Sequence, residues 1–142
     1  MRVALFQAAA AARLGEVPVG AVVVHCGEMV AQAHNRCVVD CNISHHAEIQ
    51  ALAAAGQALG NYRLNECDVY VSLEPCAMCA GAIVASRVAH LVFGAFDPKA
   101  GAVASLFDVV RDPRLNHRPR VTSGVLVAEC EDLLAEFFGE RR

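Results

Sequence analysis

The sequence predicts a layered α/β fold in which helices cover both faces of a mixed sheet of about five strands. One supporting observation is that residues 17–24 are apolar without alternation, as is typical of a strand buried on both faces. Another is that strand-like and helix-like patterns alternate along the rest of the chain. Size is the third, because 142 residues with 56% hydrophobic content suit a single domain over residues 1–142.

Each element of the first half has its own signal. The first helix shows apolar residues at helical spacing and ends at Gly15. The strand after it turns back at Gly27 into an antiparallel partner. A loop without sustained periodicity follows over residues 35–44. It leads to a helix that begins near His46 and is closed by Gly60.

The second half repeats a strand-then-helix order. Its first strand alternates apolar and polar side chains and ends at Glu74, because the residue before a proline avoids helical dihedral angles. Pro75 in turn suits the first turn of a helix. The predicted helices span residues 1–14, 46–60, 75–86, 105–110 and 129–138. The predicted strands span residues 17–24, 29–34, 68–73, 88–93 and 121–127.

Composition narrows the possible classes of protein. The formal net charge is −3, so RNA binding would need a local patch, such as the four arginines within residues 111–120 or the pair Arg141-Arg142. No run approaches the roughly 20 apolar residues of a membrane-spanning helix, and the N-terminus lacks a signal-peptide pattern. We therefore expect a cytoplasmic protein with no membrane partner. The surplus of apolar residues predicts a buried partner surface, as in a homodimer.

Two short motifs, His46-Ala47-Glu48 and Pro75-Cys76-Ala77-Met78-Cys79, contain three metal ligands and one additional carboxylate. Cys76 and Cys79 are three residues apart at a helix start, so their sulfurs point to one side, and the positive helix end favours thiolates. Two thiolates and the His46 imidazole select Zn²⁺, one ion per subunit. With three protein ligands the fourth position stays open, which is typical of a catalytic site.

Glu48 is the surplus carboxylate. Water bound to zinc ionises near neutral pH but still needs a group that takes its proton, and Glu48 lies two residues after a ligand. A lone C-x-x-C pair would equally fit a structural or redox site. The joint pattern H-x-E and P-C-x-x-C is the signature of zinc-dependent nucleobase deaminases, and it favours catalysis.

Other cysteines and histidines could supply a fourth ligand, which would make the zinc structural. Cys37, Cys41 and His45 are the candidates, but His45 diverges from His46 by roughly 100° on a helix. We interpret His45 as a loop or rim residue. The remaining cysteines are interpreted as small core or surface groups: Cys26, Cys37, Cys41, Cys67 and Cys130.

With these motifs in place, the chain resembles the bacterial tRNA-specific adenosine deaminases over nearly its whole length. The similar segments are residues 16–22, 35–36, 46–52, 61–64, 73–82, 92–95, 105–106, 108–109, 116–118 and 137–138. The resemblance implies a three-layer α/β/α cytidine-deaminase-like fold and hydrolysis of adenosine to inosine at the anticodon wobble position, with release of ammonia. It also implies zinc bound by His46, Cys76 and Cys79, proton transfer by Glu48, a homodimer and a tRNA anticodon stem-loop as partner.

The same resemblance implies the substrate contacts. Asn35 would hold the base, although an Asn at a strand end is also typical of a turn. Phe137 and Phe138 could stack on a base, but core packing is the better expectation for at least one of them. The other implied contacts are Val17, Ala47 and Leu73 in the pocket, Ala95, Asp97 and Lys99 along the groove, and Asn116, His117, Arg118 and Phe138 on RNA. The chain departs from the family pattern at His45, Phe96, Pro98 and Gly139-Glu140.

Two rival functions share these motifs. A deaminase of a free nucleobase such as guanine or cytosine would use the same zinc chemistry, but its activity would be insensitive to salt. A non-catalytic zinc scaffold would lack the glutamate, and Glu48 is present. The tRNA enzyme is therefore the favoured interpretation, on the segments 116–118 and 137–138.

Overall fold

The computed structural model describes residues 1–140, so Arg141 and Arg142 lie outside the described residues. The helices are α1 (Arg2–Arg13), α2 (Ala47–Leu59), α3 (Ala77–Ala85) and α4 (Val127–Glu140). The strands are β1 (Gly20–His25), β2 (Glu28–His34), β3 (Cys67–Leu73), β4 (His90–Ala95) and β5 (Arg120–Thr122). No helix within residues 1–140 is long and apolar enough to cross a membrane.

The five strands form one mixed sheet in the order β2-β1-β3-β4-β5, which confirms the predicted α/β class. β1 is antiparallel to β2 and β3, whereas β3, β4 and β5 run parallel. Helices α1 and α4 contact each other and the sheet, and α2 and α3 form the other helical layer. Both faces of β1 are covered, so Gly20, Ala21, Val22 and Val23 are all buried, as their unbroken apolar pattern predicts.

Helix α1 crosses the start of β1 at very short range. A Cβ atom on Gly20 would lie 1.9 Å from the carbonyl oxygen of Ala4, so only glycine fits under the helix backbone. Buried side chains of α2 and α3 pack on the opposite face, around Ala51, Ile83 and Phe93. β3 therefore lies between the two helical layers.

The structure differs most from the sequence prediction in three elements, while the other bounds shift by two residues or fewer. The first strand begins at Gly20 rather than at residue 17. The last strand is only Arg120–Thr122, because Gly124 and Leu126 adopt positive φ values of 76° and 52° and turn the chain into α4. The predicted short helix over residues 105–110 is wrong. There the backbone N–H groups of Leu106 and Phe107 both bond back to the Gly101 carbonyl and form turns instead.

Candidate active site

The sulfurs of Cys76 and Cys79 and the ring of His46 converge at the carboxyl end of β3. His46 is the N-cap of α2 and Cys76 is the N-cap of α3, so both helix starts face the same point. The His46 Nδ1 atom lies 3.6 Å from Cys76 Sγ and 3.4 Å from Cys79 Sγ. Within the described residues these three side chains form a group able to hold a metal ion, as the sequence predicts.

Electrostatics favour a thiolate in this cluster. The Cys79 thiol donates a hydrogen bond to Cys76, and His46 forms a second one. Together these hydrogen bonds outweigh the effect of burial and lower the pKa of Cys76 to about 3. The same hydrogen bond raises the pKa of Cys79, since its proton is held against the Cys76 sulfur. The pKa of His46 is raised by its hydrogen bond to Cys76. The donor set of soft sulfurs and one imidazole fits zinc, whose usual ligands these are.

Glu48 lies in the first turn of α2 and is almost completely buried, with 4% of its surface exposed. Burial raises the pKa of its carboxyl group to about 7, against the opposing effects of its own backbone N–H and of His46. A carboxyl group with a near-neutral pKa can both accept and return a proton at physiological pH, which is what a proton shuttle requires.

A small pocket of about 190 Å³ opens directly onto these groups. Its lining comes from distant parts of the chain: Val17, Val19, Asn35, His46, Glu48, Leu73, Glu74, Cys76, Asp97 and Ala100. Asn35 is fixed there, because its Nδ2 donates to the Val17 carbonyl at 3.1 Å and its Oδ1 accepts the Ala47 N–H at 2.9 Å. One amide hydrogen and one oxygen lone pair remain for a ligand.

An outer groove of about 570 Å³ continues from this pocket, sharing Val17, Leu73 and Asp97 with it. The rest of its lining is mainly apolar and includes one cation: Phe96, Pro98, Lys99, Leu134 and Phe138. Phe138 is half exposed and packs edge-on against Phe137, which is buried. The expectation that at least one of this pair belongs to the core is therefore confirmed.

Glu74 is a buried carboxylate at the site that the sequence prediction missed. It is 1% exposed and accepts backbone N–H groups from Asp97, Val103, Ala104 and Ser105 at 2.8–3.1 Å, together with the Ser105 hydroxyl. Burial alone would raise the pKa of Glu74, but these hydrogen bonds outweigh it and lower the pKa. The carboxylate therefore anchors the loop that carries Asp97 and Lys99.

The local sequence around Glu74 predicts the strand end but not the anchoring role of its carboxylate. The Glu-Pro pair marks a strand end, but the partners of the carboxylate lie 23 to 31 residues downstream. Gly101 completes the arrangement, because a Cβ atom there would lie 2.4 Å from the Glu74 carboxyl carbon. Glu74 accepts the backbone N–H groups of residues 103–105, and the N–H groups of Leu106 and Phe107 bond back to the Gly101 carbonyl, so turns stand in place of the predicted helix.

Several implied contact residues lie away from the pocket surface. The side chains of Ala47 and Ala95 are fully or almost fully buried and do not line either cavity. Ala47 contributes its backbone N–H to Asn35, and Ala95 contributes its carbonyl to the Glu74 N–H. These two residues therefore shape the site through the backbone rather than by direct lining.

Residues 116–118 lie beside the amino ends of β4 and β5, whereas the metal-ligating cluster lies at the carboxyl end of the parallel strand β3. His117 Nε2 is 2.6 Å from the Val88 carbonyl, just before β4, and the Arg87 guanidinium donates to the Asn116 carbonyl. Arg118 hydrogen-bonds the carbonyls of Pro113 and Leu115. Within one chain the structure therefore does not bring Asn116, His117 and Arg118 to the pocket.

The basic segment is also less charged than its sequence indicates. Arg111 pairs with Asp108, and Arg114 pairs with Asp112 at 2.6 Å.

His45 lies in the loop before α2, as predicted, and contacts Asp40 at 2.7 Å. The seven cysteines are all free, with Cys67, Cys79 and Cys130 buried.

Known proteins resemble this chain in sequence and in fold. The MafB19-like deaminase family matches residues 1–142. A tRNA-specific adenosine deaminase of Bacillus subtilis is 47% identical over 142 residues, which cover 100% of this chain and 88% of the relative. A structure solved in studies of A-to-I editing by tRNA:A34 deaminases at the wobble position is 42% identical, with a TM-score of 0.92. That match covers 94% of this chain and 97% of the other.

A guanine deaminase from Nitrosomonas europaea is more distant. It is 26% identical, with a TM-score of 0.82 over 96% of this chain and 81% of the other.

A mixed five-stranded sheet between two helical layers, with a His-Cys-Cys cluster beside a buried glutamate, defines a deaminase with the cytidine-deaminase fold. Within that class, the chain is 47% identical to the tRNA-specific adenosine deaminase of Bacillus subtilis and 26% identical to the guanine deaminase. The chain belongs to the family of tRNA-specific adenosine deaminases, and it is a hydrolytic enzyme.

Proposed function

We propose the route by which this enzyme converts adenosine to inosine at the wobble position of a tRNA anticodon, with Glu48 as the proton shuttle. Glu48 accepts a proton from the water that attacks C6 of the base and delivers a proton to the amino group, which leaves as ammonia. Its burial and its near-neutral pKa support both half-steps. This is the observation that carries the assignment.

Zinc would be held by His46, Cys76 and Cys79. Donor atoms 3.4 and 3.6 Å apart match the ligand spacing of a tetrahedral ion with bonds of about 2.0–2.3 Å. When bound, zinc makes a nucleophile available at neutral pH by lowering the pKa of water to about 7. The helix N-termini at His46 and Cys76 position the ligands. The positive N-terminal end of α3 also favours the thiolate forms of the two cysteines.

Substrate binding would divide between the two cavities. The inner pocket of about 190 Å³ has room for a single base, which Asn35 would bind through its remaining amide hydrogen and oxygen lone pair. The outer groove would take the flanking nucleotides, with Phe96 and Phe138 offering faces for base stacking and Lys99 a charge for phosphate. A free nucleobase would leave this groove unused, so the groove supports a polynucleotide substrate.

The test is incubation of the zinc-loaded protein with an anticodon stem-loop that carries adenosine at the wobble position, followed by nucleoside analysis. We expect inosine, and we expect binding to weaken steeply as salt rises, because phosphate contacts release counterions. A stem-loop with guanosine at the same position is the matched control and should stay unchanged. Ammonia released from free guanine, with no inosine in the stem-loop, would contradict the proposal.

A homodimer is proposed through the face formed by α2 and α3. An apolar groove of about 500 Å³ runs there, lined by Ile49, Leu52, Ala53, Gly56, Gln57, Tyr62, Ala82, Ala85 and Ser86. A second copy of this chain would cover these groups, which include the largely exposed Tyr62. Arg87 comes directly after Ser86 of the groove, and its guanidinium donates a hydrogen bond to the Asn116 carbonyl. A partner on this face would therefore meet residues 116–118. Their proposed RNA contacts would then be made beside the partner subunit.

Replacing Ala53 with Arg should convert the dimer to a monomer, because a charged side chain would be buried in the apolar contact. Light scattering coupled to size-exclusion chromatography measures the change. Ala54→Arg is the matched control, since Ala54 is an exposed neighbour on α2 that does not line the groove. A wild-type monomer, or a dimer that survives Ala53→Arg, would refute the proposed interface.

The cytoplasm is the proposed location. All seven cysteines are free, and a reducing compartment keeps thiols in that state.

A further inference from the structure

A second cluster of metal-ligating side chains lies at the opposite end of β3 from the active site. His25 ends β1, Cys26 begins the turn into β2, and Glu66 directly precedes β3. His25 pairs with Cys67 across the antiparallel strands, which brings Glu66 beside the turn. β3 spans seven residues, so the two clusters are separated by roughly 20 Å at about 3.3 Å per residue.

The three donor atoms form an equilateral triangle. Cys26 Sγ lies 3.6 Å from His25 Nε2 and 3.6 Å from Glu66 Oε2, and the His25 and Glu66 atoms are also 3.6 Å apart. With usual zinc bond lengths, the edges between tetrahedral ligands of these types are about 3.4–3.6 Å. The cluster at the active site has edges of 3.4 and 3.6 Å. The second triangle therefore fits one tetrahedral ion with little rearrangement.

The backbone holds the sulfur in an unusual position. Cys26 and Gly27 have φ values of 50° and 84° and form a two-residue hairpin turn, in which Asn or Asp usually precedes Gly. A cysteine in this left-handed region is strained, and here it directs its thiol toward His25 and Glu66. A cavity of about 280 Å³ adjoins the cluster and leaves room for water as a fourth ligand.

We propose that His25, Cys26 and Glu66 bind a second divalent cation of the zinc type at the surface. Each donor atom forms one bond to the ion, and the thiol proton of Cys26 leaves to solvent. The resulting thiolate and the Glu66 carboxylate balance the charge of the ion. A sulfur, nitrogen and oxygen donor set selects zinc over magnesium or calcium, which take oxygen ligands. The bound ion clips the β1–β2 turn to the segment before β3.

The first test measures zinc bound by the full chain, equilibrated with zinc sulfate at micromolar free zinc. Wild type should bind two ions per chain, and both Cys26→Ser and Glu66→Gln should bind one. Neither substitution touches the active site, so deaminase activity should be unchanged in both. Cys41→Ser is the matched control, because Cys41 is also exposed and also has a positive φ of 49°. It should retain both ions.

The second test follows alkylation of single cysteines by mass spectrometry and does not depend on occupancy of the active site. Zinc should slow iodoacetamide labelling of Cys26 by roughly tenfold or more, because a metal-held thiolate is not free to react. Labelling of Cys41 should be unaffected. A single ion in wild type that is retained in Cys26→Ser, a second ion that survives Cys26→Ser, or unchanged labelling of Cys26 would each overturn the proposal and leave a hydrogen-bonded surface cluster.

Discussion

The Glu48→Gln variant is expected to lose deaminase activity by about 10²–10⁴-fold while it keeps its fold and its bound zinc. Glutamine has nearly the same shape as glutamate but cannot accept and return a proton. The side chain is not one of the three ligands, so the cluster of His46, Cys76 and Cys79 should bind metal as before. Single-turnover rates on the anticodon stem-loop, with metal content measured on the same sample, report the two effects separately.

Glu131→Gln is a matched control for the Glu48 variant, because Glu131 is exposed on α4. It makes the same chemical change far from the site and should leave the rate unaltered. Full turnover by Glu48→Gln would rule out the shuttle assignment. Loss of zinc together with activity would show that Glu48 supports the ligands instead.

The Glu74→Gln variant is expected to lose about 2–4 kcal/mol of unfolding free energy. An amide offers one oxygen and one NH₂ group in place of two acceptor oxygens, so at least one of the N–H groups from Asp97 and residues 103–105 would face a donor. Each such group left unpaired in a buried site costs about 1–3 kcal/mol. Urea denaturation of the zinc-loaded protein measures the loss.

Activity should also respond to Glu74→Gln, because the loop that Glu74 anchors carries Asp97 and Lys99 into the outer groove. KM for the stem-loop should rise more than kcat falls. Ser105→Ala removes one of the five hydrogen bonds and should cost only about 1 kcal/mol. Wild-type stability in Glu74→Gln would show that the carboxylate does not anchor the loop.

The α/β class and the strands β1 and β3 were predictable because their signals are local. The unbroken apolar run of β1 follows from burial on both faces. In β3 the apolar residues Val69 and Val71 are fully buried, and the alternating residues Asp68 and Tyr70 are half-buried. The predicted short helix over residues 105–110 was wrong, since this segment folds back onto the Gly101 carbonyl in a loop that Glu74, about 30 residues upstream, anchors. The final strand was predicted to be longer than it is, because the turn at Gly124 outweighs the β propensity of the valines around it.

The sequence by itself determined the chemistry of the metal-ligating site. His46 with Glu48, and Cys76 with Cys79, are set by short spacings at helix starts, and helical geometry decides where such neighbours point. Only the tertiary structure decided the shape of the pocket, the role of Glu74 and the triangle at His25. These depend on strand register and on loops that meet across the sheet, and such contacts are determined by burial of the whole core rather than by any local pattern.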